Sequence, residues 1–155
     1  MFSRPIVTGV GDNLCPRLVL GETINSTTGE WSASEGTTEL ASDYFIPVDF
    51  SVNPYYTLSY NYSALPAAGS KRTMIFAYNG AKDFVGRTTG TNSSKRTLNA
   101  ASFTEGTPAG TGDPAYLRVR LYYAAFSEAD AAVLKMQIVP GSDAKKYRAR
   151  SLAFL

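Results

Sequence analysis

Aromatic and polar side chains alternate along extended segments of this chain, and they are its best candidates for chemistry. In residues 115–123 (AYLRVRLYY), tyrosine and arginine alternate with apolar residues, so they should share one face of a strand. Aromatic rings pack on the C–H faces of sugars, and guanidinium groups donate planar, paired hydrogen bonds. The pattern predicts a saccharide-binding face made of Trp31, Tyr78, Tyr116, Arg118 and Arg120. The alternative is that these aromatics pack within the sheet and that Trp31, the only tryptophan, belongs to the core.

Composition excludes several other chemistries. The 155 residues include no histidine, which excludes triads with an imidazole base, zinc sites built on imidazole and imidazole pH switches. Cys15 is the only cysteine, so an internal disulfide is excluded as well. No stretch has the apolar length that a membrane span requires. We therefore predict no cofactor and no membrane insertion.

Acidic residues are frequent between positions 12 and 43, and two uses of them need to be weighed. Glycoside hydrolysis requires two carboxyl groups about 5–10 Å apart across the scissile bond, and calcium requires a cage of oxygen ligands. The sequence shows neither such a pair nor a calcium-loop pattern, so we interpret these acids as solvated loop residues. We predict no enzymatic activity and no metal site. The acids considered are Glu22, Glu30, Glu35, Glu39 and Asp43 for hydrolysis, and Asp12, Asn13 and Glu22 for calcium.

The elements that must position these residues are strands. Hydrophobic periodicity predicts about eight or nine short strands and almost no helix. The clearest strands cover 54–62, 72–78 and 115–123, and 24–31 is predicted to form a hairpin that turns at Thr28-Gly29. Residues 86–96 and 104–114 are predicted to be polar loops. Because the connections are long and uneven, the predicted fold is all-β, an antiparallel β-sandwich with jelly-roll topology.

Charge and hydropathy set the chain ends apart. The net charge is +2, but residues 141–155 alone carry +3, which leaves −1 for residues 1–140. We divide the chain into an N-terminal arm (1–12), a sandwich domain (13–140) and a basic, apolar C-terminal arm (141–155). The arms are predicted to dock onto neighbouring subunits through Arg4, Lys145, Lys146, Arg148, Phe154 and Leu155. Nucleic acid is not a predicted partner, because the basic tail is short and a single aromatic, Tyr147, interrupts its charges.

Four ordered segments carry a resemblance to a known family. They are the hairpin at 24–30, SDYFIPV at 42–48 followed by NPYYTLS at 53–59, IFAYNGAKDFV at 75–85, and AYLRVR at 115–120 followed by MQIVPGS at 136–142 and then Tyr147. In order and spacing they resemble a carbohydrate-binding-module-like domain of bacteriophage tail, baseplate and head-decoration proteins. The resemblance covers about residues 13–148 and implies a jelly-roll sandwich on a virion, often attributed to binding host-surface saccharides. Asn79 stands where that family usually has Asp, and Val139-Pro140 where it has Glu, so the resemblance does not extend to bound calcium.

These observations predict a virion structural protein of a bacteriophage, a decoration or tail/head accessory that aids attachment to host-surface saccharides. The alternative is a purely structural capsid or tail protein that binds no glycan. Expected partners are other virion proteins and further copies of this chain, with cell-surface polysaccharide added in the first case. The N-terminal sequence MFSRPIVTGVGDN lacks the apolar core of a secretory signal. We therefore expect synthesis in the host cytoplasm and assembly into the virion.

Overall fold

The computed structural model describes residues 5–7, 14–15, 18–33, 39–42, 45–61, 72–122, 127, 130, 133–143 and 152–154. These residues form thirteen strands, and Asp130 and Val133 lie in a helical turn. No helix in these ranges is long and apolar enough to cross a membrane. The strands are β1 (Pro5–Val7), β2 (Leu18–Leu20), β3 (Glu22–Ile24), β4 (Trp31–Ala33), β5 (Glu39–Ser42), β6 (Ile46–Pro47), β7 (Tyr56–Ser59), β8 (Arg72–Tyr78), β9 (Phe84–Arg87), β10 (Lys95–Leu98), β11 (Tyr116–Tyr122), β12 (Gln137–Pro140) and β13 (Leu152–Phe154).

Two sheets build the body of the protein. The larger has six strands in the order β2-β5-β11-β8-β9, with β6 also paired to β11, and the smaller has the order β10-β7-β12. Two further sheets are the pairs β3-β4 and β1-β13. Every pairing is antiparallel. The prediction of an all-β, antiparallel fold is therefore confirmed, whereas the predicted number of strands was too low.

Alternation of side chains brings the two sheets together. Leu117, Val119 and Leu121 of β11 point to one side and are fully buried, as the sequence pattern predicted. Leu58 of β7 and Ile138 of β12, from the smaller sheet, join them in one hydrophobic core. Each fully buried aliphatic side chain contributes about 1.5–3 kcal/mol relative to an exposed one. The shared core gives the chain a β-sandwich-like architecture.

The prediction of a polar loop over residues 86–96 is wrong at both ends. Gly86 and Arg87 belong to β9, and β10 begins at Lys95. Thr88 is buried, and its hydroxyl accepts a hydrogen bond of 3.1 Å from the backbone N–H of Ile75. A threonine whose hydroxyl forms a hydrogen bond with the backbone can be buried even where the sequence shows no apolar periodicity. Periodicity therefore gave no signal for the order of this segment.

The two chain ends meet in the pair β1-β13. Its register places Pro5 opposite Phe154, Ile6 opposite Ala153 and Val7 opposite Leu152. This pair, which we call the end sheet, shares no strand with the sheets of the body. Of the predicted docking residues, Phe154 contributes its backbone to the end sheet. Arg4, Lys145, Lys146, Arg148 and Leu155 lie outside the described residues.

Candidate functional site

Four of the five predicted saccharide-binding residues lie on one face of the larger sheet. Tyr116, Arg118 and Arg120 alternate with the core residues of β11, and Tyr78 of β8 is paired with Tyr116 in the sheet register. We call this side of the sheet, turned away from the principal core, the outer face. Trp31 lies elsewhere, at the start of β4. The predicted grouping of tyrosine and arginine on one strand face is present.

A hairpin covers the outer face. It comprises residues 22–33, in which β3 pairs with β4 and places Ile24 opposite Trp31. Ile24 is fully buried and forms a second hydrophobic core with Ala41, Phe76, Tyr78 and Phe84. Phe45, Met74 and Tyr116 pack at the margin of this core. We call residues 22–33 the covering hairpin, because its apolar contacts occupy the surface on which a ligand was predicted to lie.

Hydrogen bonds hold the covering hairpin in place. Four donors of the body bind backbone carbonyls within residues 24–29 of the hairpin. They are Arg120 Nη1 to Ile24 (2.6 Å), Arg87 Nε to Ser26 (2.5 Å), the backbone N–H of Thr107 to Thr27 (2.7 Å) and the Tyr78 hydroxyl to Gly29 (2.6 Å). Hydrogen bonds from charged donors contribute more than neutral ones. Two of these donors, Arg120 and Tyr78, were expected to bind sugar hydroxyls and instead bind the chain's own carbonyls.

Tyr78 and Arg118 are buried, with only 4% and 6% of their surfaces exposed. Burial raises the pKa of Tyr78 to about 12, although the positive charge of Arg118 acts in the opposite direction. Arg118 Nη2 donates to the carbonyl of Ser42 at 2.7 Å, and its guanidinium carbon lies 5.3 Å from the ring centroid of Phe45. Neither residue offers a surface to a ligand, because both are almost fully buried and donate to the carbonyls of Gly29 and Ser42.

The other three predicted residues are more accessible. Trp31 is 48% exposed at the start of β4, and Tyr116 and Arg120 are partly exposed. The guanidinium carbon of Arg120 lies 5.6 Å from the ring centroid of Phe76. Burial lowers the pKa of Arg120, and the nearby Glu39 carboxylate partly offsets that effect. The prediction that Trp31 is available for stacking is thus compatible with its exposure, whereas Arg120 is engaged with the second core.

A cleft that the sequence analysis did not identify lies at one end of the body. It has a volume of about 440 Å³ and is lined by residues 48–51, Ala100 and residues 113–115. Asp49 and Asp113 are its two carboxylates, and both are exposed. Asp49 Oδ1 accepts hydrogen bonds from the hydroxyl and the backbone N–H of Ser51, and these bonds lower the pKa of Asp49. The Asp-Phe-Ser sequence is a signal for this local turn, but no local pattern predicts the cleft.

The acids weighed for hydrolysis or for calcium do not form a described cluster. In the part of the chain that the structure describes, no three His, Cys, Asp or Glu side chains are grouped as a metal site. Glu22 and Glu30 belong to the covering hairpin, and Glu39 begins β5. Asp12, Asn13, Glu35 and Asp43 lie outside the described residues.

Comparison with protein-family models, with curated proteins and with solved structures finds no significant match for this chain. The family resemblance of the four sequence segments therefore stays a prediction.

Proposed function

We propose that this chain is a structural, non-enzymatic protein of a bacteriophage virion, a jelly-roll sandwich that attaches to its neighbours through its ends. The observation that carries the proposal is the end sheet. Its two strands, Pro5–Val7 and Leu152–Phe154, are apolar in sequence and pair only with each other among the described strands. An isolated two-stranded sheet is marginally stable in water. Docking against a second copy of the chain would supply the burial that such a pair lacks.

The covered outer face supports the same role. Both sides of the larger sheet are packed, one against the smaller sheet and the other against the covering hairpin. Close-packed interiors resist deformation and transmit strain. A body built in this way is suited to being a repeated block in a particle, and jelly rolls are a common solution for that task.

Sedimentation of the purified full chain over a range of concentrations tests this proposal. We expect a discrete, concentration-dependent oligomer that Ile6→Asp abolishes, because the substitution introduces a charge into the end sheet. Val52→Asp is the matched control, since Val52 is 70% exposed and outside every strand. A wild-type chain that stays monomeric throughout, or an oligomer that Ile6→Asp and Val52→Asp affect equally, would contradict the proposal.

A second candidate function is saccharide binding by the assembled particle. The observation that favours it is the exposure of Trp31, together with the partly exposed ring of Tyr116. Weak single sites become effective when many copies share one particle. Because Trp31 is the only tryptophan, its fluorescence reports on that position alone. Binding at Trp31 predicts a saturable change in fluorescence when lipopolysaccharide or capsular polysaccharide is added; an unchanged spectrum excludes binding at that residue.

A further inference from the structure

We propose that Pro47, Tyr116, Phe45 and Lys82 form a binding site for a saccharide that carries a carboxylate, such as a uronic acid. This inference rests on the second candidate function, saccharide binding, and names both a site and a ligand class for it. We call these four residues the ring–lysine site. Of the four, only Tyr116 belongs to the set predicted from the sequence.

The ring–lysine site lies at one end of the larger sheet. Tyr116 begins β11 and Pro47 ends β6, and the two are paired in register, so their side chains share the outer face. The ammonium of Lys82 lies 5.2 Å from the ring centroid of Phe45 and 5.4 Å from that of Tyr116. The two ring centroids are 5.9 Å apart. One cation is therefore held beside two aromatic rings and near an exposed proline ring.

A hydrogen-bonded turn holds Lys82 in position. Lys82 has a φ of 65°, in the left-handed region that a lysine rarely adopts. The side-chain oxygen of Asn79 accepts hydrogen bonds from the backbone N–H groups of Ala81 and Asp83, both at 3.0 Å. The side-chain nitrogen of Asn79 donates to the carbonyl of Thr111 at 3.0 Å. Strained backbone of this kind persists where surrounding contacts over-determine it, and it is concentrated at ligand sites.

The charge of the ring–lysine site favours an anionic ligand. Within the described parts of the chain, no carboxylate forms an ion pair with Lys82, and the one such pair joins Arg87 to Glu105. Cations over aromatic faces keep their long-range attraction for anions. A neutral sugar would gain ring contacts here, whereas an acidic sugar would also gain the charge of Lys82.

The edge of β6 favours a ring-shaped ligand over a peptide strand. Pro47 has no backbone N–H, so it cannot donate to an added strand, and proline at a sheet edge opposes such pairing. Its exposed ring lies beside the partly exposed ring of Tyr116 instead. Flat apolar faces beside a single cation match the C–H face and the carboxylate of a uronic acid residue.

Calorimetric titration of the full chain with oligogalacturonate, oligomannuronate and oligosialic acid, each alongside its carboxyl-reduced form, tests this inference. We expect at least one acidic form to bind about tenfold more tightly than its reduced form, which corresponds to about 1.4 kcal/mol. The difference should shrink as salt is added. Lys82→Met should remove the difference between the acidic and the reduced forms. Lys95→Met is the matched control, because Lys95 is an exposed lysine on the smaller sheet.

Backbone amide shifts of the wild-type chain during the same titration make the test independent of whether the variants fold. Shifts confined to Phe45, Ile46, residues 81–83 and Tyr116 support the ring–lysine site. Equal binding of acidic and reduced forms would overturn the inference and leave saccharide binding intact. Equal losses in Lys82→Met and Lys95→Met would also overturn it, and so would the absence of binding by every acidic probe. The assembly role is judged separately, by sedimentation.

Discussion

Replacing Tyr78 by phenylalanine tests whether the covering hairpin occupies the outer face. The Tyr78 hydroxyl is buried and donates to the carbonyl of Gly29 at 2.6 Å. Tyr78→Phe removes that bond and leaves the buried carbonyl without this donor. A lost hydrogen bond costs about 0.5–1.5 kcal/mol, and an unsatisfied buried group about 1–3 kcal/mol. We expect the free energy of unfolding to fall by about 2 kcal/mol at neutral pH.

The same substitution should make the free energy of unfolding less sensitive to alkaline pH. The pKa of Tyr78 is raised from 10.0 to about 12 in the folded protein. The unfolded chain therefore releases this proton first. The stabilisation is fully present below pH 10 and is lost as the pH rises toward 12, by up to about 1.4 kcal/mol per pH unit. Because phenylalanine has no such proton, the stabilities of variant and wild type should converge between about pH 11 and pH 12.

Urea unfolding followed by circular dichroism, from neutral pH to strongly alkaline pH, measures both effects. Tyr55→Phe is the control, since it makes the same chemical change at an exposed ring and should shift stability by less than about 0.5 kcal/mol. If Tyr78→Phe behaved like Tyr55→Phe at neutral pH, and its stability ran parallel to wild type in alkali, Tyr78 would face solvent. The outer face would then be open to ligands, as the sequence pattern predicted.

Two further substitutions probe the turn of the hairpin and the ion pair beside it. Gly29→Ala should destabilise the protein by about 2 kcal/mol or more in urea, because φ is 70° there and a Cβ would lie 2.3 Å from the Phe84 ring. Gly80→Ala, with no atom within 4 Å of the added Cβ, should cost little. A hydrogen bond from Thr89 holds the pKa of Glu105 below its ordinary 4.5, so its stabilisation is present above pH 4.5 and lost on acidification. The stability of Glu105→Gln should therefore fall less on acidification than that of the wild type. Equal losses in the two proteins would contradict the hydrogen bond from Thr89 to Glu105.

Local sequence patterns were enough to predict the longest strands, one hairpin and the two faces of β11. The strand predicted over 72–78 is β8, and the alternation predicted in β11 separates buried Leu117, Val119 and Leu121 from the outer face. The hairpin at 24–31 was also predicted, with its turn at Gly29. Strands and tight turns depend on residues that are close in sequence, so hydrophobic periodicity and turn-forming residues predict them.

Local patterns could not predict what covers each face. The hydrogen bond from Tyr78 to Gly29 joins residues 49 positions apart, and the one from Arg120 to Ile24 joins residues 96 apart. Planar donors among aromatic rings suit a sugar hydroxyl and a backbone carbonyl equally well. The sequence therefore identified the chemistry of the outer face but not its occupant. Lys82 was missed for a related reason, since its position depends on how the side chain of Asn79 folds the turn.

The covering hairpin and the ring–lysine site are linked by Phe45. Its ring centroid lies 4.9 Å from that of Tyr78 and 5.2 Å from the ammonium of Lys82. The hydroxyl of Tyr78 in turn binds the covering hairpin. Because edge-to-face ring pairs have a preferred geometry, the position of Tyr78 restrains the ring of Phe45. A loosened hairpin should then also loosen the site at which an acidic sugar is proposed to bind. The buried side chains of Tyr78 and Arg118 would then support the proposed ring–lysine site, because both pack against the ring of Phe45.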